Sequence, residues 1–285
     1  MYSKHTILGS IIRHLVVWLF IGFAIFPVLW IFSASINPTN NITAQQLIPR
    51  HIVWDHYVEL FTNPQHPYAI WLWNSIKIAT LTSLLTVALT ALSAYAFSRF
   101  RFKGRRVGLL GLLLVQMFPQ MLAMVAIYIL LLNAGKIIPW IGLNTHPGLI
   151  MVYLGGAMGF NTWLMKGYFD TIPRSLEESA KVDGASQFQA FTRIILPLAR
   201  PILATIFVLS FIGVYSEYIL ARVLLTDTHQ FTLALGLNLF IHGQWGNRWG
   251  VFAAGALIGA IPFLIVFALA QHLLVSGLTR GSVKE

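Results

Sequence analysis

EESAKVDGASQFQAFTRIILPLARP (Glu177–Pro201) puts three acids and three bases into the middle of an otherwise oily chain. Its punctuation is that of two short helices. Ser175 followed by Glu178 forms a capping-box pattern, with Ser175 as the N-cap. Gly184 can end that helix in a left-handed conformation. Ser186 followed by Gln189 is a second capping box, and Pro197 stops the second helix because its ring interrupts the hydrogen-bond ladder. Phe188, Phe191, Ile195 and Leu198 recur at steps of three, four and three, which makes one apolar face. A water-compatible helix pair is therefore set between long apolar runs.

The surroundings define a membrane protein. The 285 residues are 57% hydrophobic and 10% charged, where a soluble domain carries about 25% charged residues. Runs long enough to cross a bilayer, about 20 residues each, lie near 13–34, 74–98, 107–132, 149–168, 201–223 and 250–276. The expectation is an all-α, polytopic chain with six spans. It forms a single transmembrane domain over 1–285, with the helix pair at 174–197 between spans four and five. The first run follows Lys4 and Arg13 but is too long for the apolar core of a signal peptide. It is read as a retained span.

Fourteen of the 19 basic residues fall on one side of this plan. Lys4 and Arg13 precede the first run, and five bases sit in RFRFKGRR (99–106). Five more lie from Lys166 to Arg200, and Arg280 and Lys284 are in the tail. The positive-inside rule then puts both termini and the helix pair in the cytoplasm. The net charge of +10 is explained by orientation, and no nucleic-acid partner is expected. Trp54, Trp71, Trp73, Trp140, Trp245 and Trp249 fit an outer interfacial belt. WDHYVELF (54–61) places Trp54, Tyr57, Val58 and Phe61 at the spacing of a short amphipathic helix lying on that surface.

Several chemistries are missing. There is no cysteine, which excludes disulfides, thiol catalysis and zinc–thiolate sites. The Gly135-Lys136 pair is followed by Ile137 and has Leu130 where a phosphate-binding loop needs glycine, so no ATP site is expected in this chain. The nine histidines form no HExxH motif, and no metal site is expected. His51 and His56 read as interfacial polar residues.

The central stretch also carries a longer pattern. Glu178-Ser179-Ala180, three residues, Gly184, nine residues, then Ile194-x-Leu196-Pro197 resembles the E-A-A-x3-G-x9-I-x-L-P signature of ABC importer permeases. Ser179 stands where the signature has the first of its two alanines. WLWNSIKIA (71–79), AYAFSRFRFKG (94–104), QMFP (116–119), IGLNTHPG (141–148), LMKGYFD (164–170) and GLTRGSVKE (277–285) resemble the carbohydrate-uptake branch of the family. Within it they are similar to the smaller permease subunit of maltose-type importers. The resemblance implies that the pair is a coupling element docking on a cytoplasmic ATPase. Glu178 would be its polar contact and Gly184 its tight turn, with Phe191, Ile194 and Leu196 seating it. Lys284 and Glu285 would reach toward the ATPase dimer interface. Beside this stands a local reading, in which Glu178 serves only its own helix start.

Within the membrane, Glu217 is costly, about 2.5–3.5 kcal/mol on insertion scales. It belongs either beside a solute pathway or near an outer interface where the fifth span ends early. Gln116, Pro119 and Gln120 break the third span and could line a path for hydroxyl-rich solutes. Asn161 and Thr162 are weaker candidates. Gly155/Gly159 and Gly255/Gly259 permit close helix contact. In FIHGQWGNRWG (240–250), Gln244, Trp245 and Asn247 are, by resemblance, candidates to meet an extracytoplasmic solute-binding protein; locally, the loop reads as a tryptophan-anchored turn.

The resemblance, with the apolar spans and the missing ATP site, implies a non-enzymatic permease subunit of the prokaryotic inner membrane. It would import an oligosaccharide of the maltose or maltodextrin type by alternating access. The implied partners are a second permease chain, a dimer of ATP-binding subunits holding ATP and Mg, the solute-binding protein and lipid. The alternative is an ion-coupled secondary transporter; a membrane enzyme is third.

Overall fold

The computed structural model describes residues 7–41, 46–242 and 247–280, and every regular element among them is helical. The chain divides into two units, Met1–Tyr68 with Gly236–Ala260, and Ala69–Leu235 with Ile261–Glu285.

The first unit begins with α1 (Ile7–Ile36), whose apolar stretch is wholly exposed, as a lipid-facing helix requires. WDHYVELF forms α2 (Asp55–Thr62). Val58 and Phe61 point outward, as does Trp54 just before it, while His56 and Leu60 are buried. His56 is thus a core residue, its Nε2 2.9 Å from the Asn37 carbonyl. Its ring occupies the space where a side chain on Gly250 would go. Tyr57 shares a 2.7 Å hydrogen bond with Ser35, and Glu59 pairs with Arg248. Gly255 allows Leu237 to approach where a β-carbon would lie only 2.6 Å from its methyl group, so the small-residue spacing serves packing here.

The second unit is built on α3 (Tyr68–Arg99), α6 (His146–Thr171) and α9 (Arg200–Tyr215). The third apolar run is two helices, α4 (Arg105–Gln116) and α5 (Gln120–Ile137), meeting at 100° around Pro119. The break at Pro119 is the one the sequence indicates, and the fifth run ends short of residue 223, as one reading of Glu217 allowed. Its helix α9 ends at Tyr215, and a separate short helix, α10 (Ile219–Leu224), follows. The chain then passes through α11 (Leu233–Ile241) to α12 (Trp249–Arg280). Four helices are by themselves long and apolar enough to span a bilayer among the described residues, or up to six if each bent pair counts as one span.

Loop chemistry fixes this unit. Asn144 adopts φ 59°, a left-handed conformation that asparagine tolerates better than most residues. Its Oδ1 accepts the N–H groups of Thr226 and Asp227 at 3.0 and 2.9 Å. Thr145 caps α6 by accepting from Gly148 N–H. Trp71 is not an interfacial anchor: it is 0% exposed, and its indole N–H donates to the Thr228 carbonyl at 2.8 Å. Asn74 donates to the carbonyls of His229 and Phe231, and Ser75 accepts from Leu233 N–H. The start of α3 therefore holds the 228–233 segment.

Between α6 and α9 lies the helix pair, α7 (Ser175–Val182) and α8 (Gln187–Leu198). Gly184 has φ +84°, as the sequence requires for the turn. The Ser186/Gln189 capping box forms in both directions. The first box does not: Ser175 is already helical and Arg174 precedes the helix without a side-chain cap. The Arg174 carbonyl accepts the N–H groups of both Glu177 and Glu178 at 3.0 Å, so backbone does the work expected of the Ser175 side chain. Pro197 does not end α8 either. A π-helical turn at Phe191–Ile195 precedes it. Widening the helix there accommodates a ring that a regular helix would drive against the Arg193 carbonyl. The break comes after Leu198, where α8 and α9 diverge by 75°.

Candidate functional site

The helix pair is held from below by a buried polar network. Glu177, not Glu178, is the inward acid of α7. Its carboxylate accepts the Tyr95 hydroxyl at 2.7 Å and pairs with Arg99 Nε. The Arg99 and Glu177 side chains are each 5% exposed. Tyr95 and Arg99 stand four residues apart and so share one face of α3. Arg99 also donates to the Ile172 carbonyl at 3.0 Å and to Ser98 Oγ at 3.1 Å. Ser98 donates to Asp170, which pairs with Lys166, and Arg174 donates to the Ser98 carbonyl. From α8, Gln187 reaches the Tyr95 hydroxyl.

Apolar packing completes the anchor. Phe191 lies 4.6 Å from Tyr95, centroid to centroid. Phe191 and Ile195 are buried with Met165, Phe169 and Ile172 of the α6 side. Ala91, Ala94 and Ala199 line the same core, and such small residues let helices come close. The expected apolar face thus divides: Phe191 and Ile195 point in, whereas Phe188 is 68% exposed and Leu198 is also outward. Ile194 and Leu196 are half-buried, Ala180 likewise, and Pro197 is exposed.

Opposite the anchor, Glu178, Ser179 and Gly184 are exposed. Val182 at 88% exposure and Phe188 add apolar surface to them. The pair therefore presents an exposed acid and two exposed large apolar side chains, on elements anchored from behind by the polar network and apolar packing.

A second feature lies between α6 and α9. A cavity of about 300 Å³ is lined by Tyr153, Phe160, Asn161, Ser210 and Glu217, with Gly156 and Gly213 in its wall. Glu217 accepts the Tyr153 hydroxyl at 2.6 Å and the N–H groups of Leu220 and Ala221 at 2.7 and 3.0 Å. It caps the start of α10, where the helix dipole favours a negative charge. Among the described residues no cluster of potential ligands could hold a metal ion.

Residues 86–279 match the family of the binding-protein-dependent transport system inner membrane component. The chain belongs to that family. It is 46% identical over 284 residues to the maltose/maltodextrin transport system permease protein MalG of Escherichia coli K12, covering 96% of this chain and 95% of that protein. It is 45% identical over 282 residues to the same-named protein of Photorhabdus laumondii, covering 95% and 94%. Among solved structures, it is similar to a bacterial ABC transporter involved in the import of the acidic polysaccharide alginate. There the TM-score is 0.75 at 26% identity, over 95% of this chain and 98% of that one. This chain is a multi-pass inner-membrane permease of a binding-protein-dependent sugar importer, and it is not itself an ATPase.

The remaining expected site residues of the permease are distributed unevenly. Gln116 is committed to α6: its amide donates to the Gly156 carbonyl at 2.5 Å and accepts from Phe160 N–H. Those are the two partners of one helical hydrogen-bond step. Gly159 makes this approach possible, since a β-carbon there would meet the Leu112 carbonyl and the Gln116 Oε1 atom. Pro119 and Gln120 sit at the α4–α5 bend, and Thr162 is buried while Asn161 faces the cavity. Asn247 is exposed. Gln244, Trp245, Lys284 and Glu285 lie outside the described residues. Sequence reasoning missed Glu177, Arg99 and Tyr95. The available signal was the Tyr95/Arg99 spacing at the end of an apolar helix, two polar side chains on one face.

Proposed function

We propose that this permease imports a maltooligosaccharide by alternating access, with the α7–α8 pair as the docking element for a cytoplasmic ATPase. The observation that carries this reading is the division of the pair into two faces. Glu178, Val182 and Phe188 stand exposed at the surface, while Glu177, Phe191 and Ile195 fix the same helices to α3 and α6. An exposed apolar patch beside a charge is suited to a protein partner. Glu178, Ser179, Ala180, Gly184, Ile194, Leu196 and Pro197 belong to this element, and Lys284 and Glu285 would extend the contact.

In this reading the whole chain acts as one transmembrane domain. Each bent helix pair counts as one span, which gives six, with both termini cytoplasmic. A second permease chain completes the membrane pathway, two ATP-binding subunits hold ATP and Mg, and an extracytoplasmic binding protein delivers sugar near the loop of Asn247. ATP drives the cycle only if it binds the closed arrangement of the ATPase more tightly than the open one. The cavity bounded by Tyr153, Asn161, Ser210 and Glu217 joins aromatic surface to hydroxyl, amide and carboxylate groups. That mixture suits sugar hydroxyls, and we assign it to the pathway. The maltose-type substrate follows from the two relatives named above. Family membership weighs against the ion-coupled alternative.

Reconstitution tests the reading. Proteoliposomes holding the complete transporter are expected to take up maltotriose only with ATP on the ATPase side and binding protein on the other. Uptake that needs no ATP and follows a proton or sodium gradient would refute it.

A further inference from the structure

We propose that Glu177 is a positioning residue whose pair with Arg99 delivers the movement of the α7–α8 pair to α3; this rests on the ATPase docking proposed above. The chain itself connects the helix pair only to α6, through 172–174, and to α9, through Ala199. α3 has no such link. Arg99 is 78 residues from Glu177 along the chain, so motion reaches α3 only through non-covalent contacts.

Those contacts are of two kinds. Phe191, Ile195 and the alanines supply apolar packing, which permits helices to slide by small steps. The Glu177 carboxylate instead has fixed donors: Tyr95 on one oxygen and Arg99 on the other. Arg99 is itself tied to the Ile172 carbonyl, and Gln187 reaches Tyr95 from α8. The charged groups gathered here are Arg99, Glu177, Arg174, Arg105, Asp170 and Lys166; Asp170 pairs with Lys166, and Arg105 and Arg174 both donate to the Ser98 carbonyl. Any slip of α7 along α3 would separate two buried opposite charges, which is strongly unfavourable. The network therefore resists slippage where apolar contact does not. Glu178, the proposed docking acid, is the adjacent residue on the exposed side. The path from partner to membrane helix is one residue long.

The natural absence of cysteine allows a direct test. Two forms of the assembled transporter are compared with wild type, Glu177→Gln and the double variant Arg99→Cys/Glu177→Cys. The double variant removes both charges together and so leaves no buried ion unpaired. Both are expected to copurify with the ATPase and to hydrolyse ATP. Sugar moved per ATP should fall by about tenfold, within the usual range of coupling between sites. A short bifunctional thiol reagent that bridges the two cysteines should restore the ratio. The inference is overturned if the ratio stays at the wild-type value in both variants, or if bridged protein remains uncoupled. Loss of the docking reading would show differently: wild-type complex would then form without contact at Val182 and Phe188.

Discussion

Two acids of this permease, buried Glu177 and half-buried Glu217, are stabilised in different ways. Glu177 and Glu217 each accept a tyrosine hydroxyl, Tyr95 at 2.7 Å and Tyr153 at 2.6 Å. Beyond that they diverge. Glu177 meets a full cation, Arg99, held by a different helix. Glu217 has two backbone N–H groups at the start of the helix that follows it. The first arrangement joins distant parts of the chain, so it can carry force. The second is local apart from Tyr153 and leaves a carboxylate on a cavity wall. A charge in an oily chain can thus serve as a fastener or as a lining, and its donors distinguish the two.

The contrast can be broken at its stronger end first. Arg99→Ala leaves Glu177 buried without its cation and should cost about 3–5 kcal/mol. Thermal unfolding in detergent would show it as a large loss of stability. Glu217→Gln keeps an acceptor but surrenders the charge, so its cost should be about 1–3 kcal/mol. If the Glu217 variant were the more damaged, the distinction between fastener and lining would be wrong. The helix pair sharpens the point through its serines. Ser186→Ala removes a cap that forms and should cost about 1 kcal/mol, while Ser175→Ala should be nearly neutral. Equal losses would restore the capping role expected for Ser175.

The smallest effect concerns His66, a buried ionisable side chain of the other unit. Burial holds its pKa below the ordinary 6.5. The unfolded chain then binds the proton more readily than the folded one. The stability that neutral His66 provides is complete above pH 6.5 and is lost as pH falls below that value toward the lower folded pKa. Melting temperature should decline over that range, and His66→Gln should flatten the decline.

Much of this architecture was readable from residue patterns. The long apolar helices α1, α3, α6 and α12, the left-handed Gly184 and the Ser186/Gln189 box appear as expected, because each depends on local sequence. Ser175 failed because a carbonyl from Arg174 could satisfy the same N–H groups. Pro197 failed as a stop because a π turn can relieve a proline clash, and nothing in the local pattern announces such a turn. The break at Pro119 was legible in the sequence, and an early end of the fifth run was one of the two readings of Glu217. The anchor, by contrast, was hidden. Glu177 and Glu178 are neighbours with the same chemistry, and only packing against α3 decides which one turns inward.

The central claim is that the face opposite this anchor meets an ATPase. It is tested most directly by placing a photoreactive amino acid at Val182 or Phe188 and irradiating the assembled transporter. The account predicts covalent adducts to the ATP-binding subunit from both positions, and none from the buried position of Ile195. Adducts from Val182 and Phe188 to lipid or to the companion permease alone would contradict it.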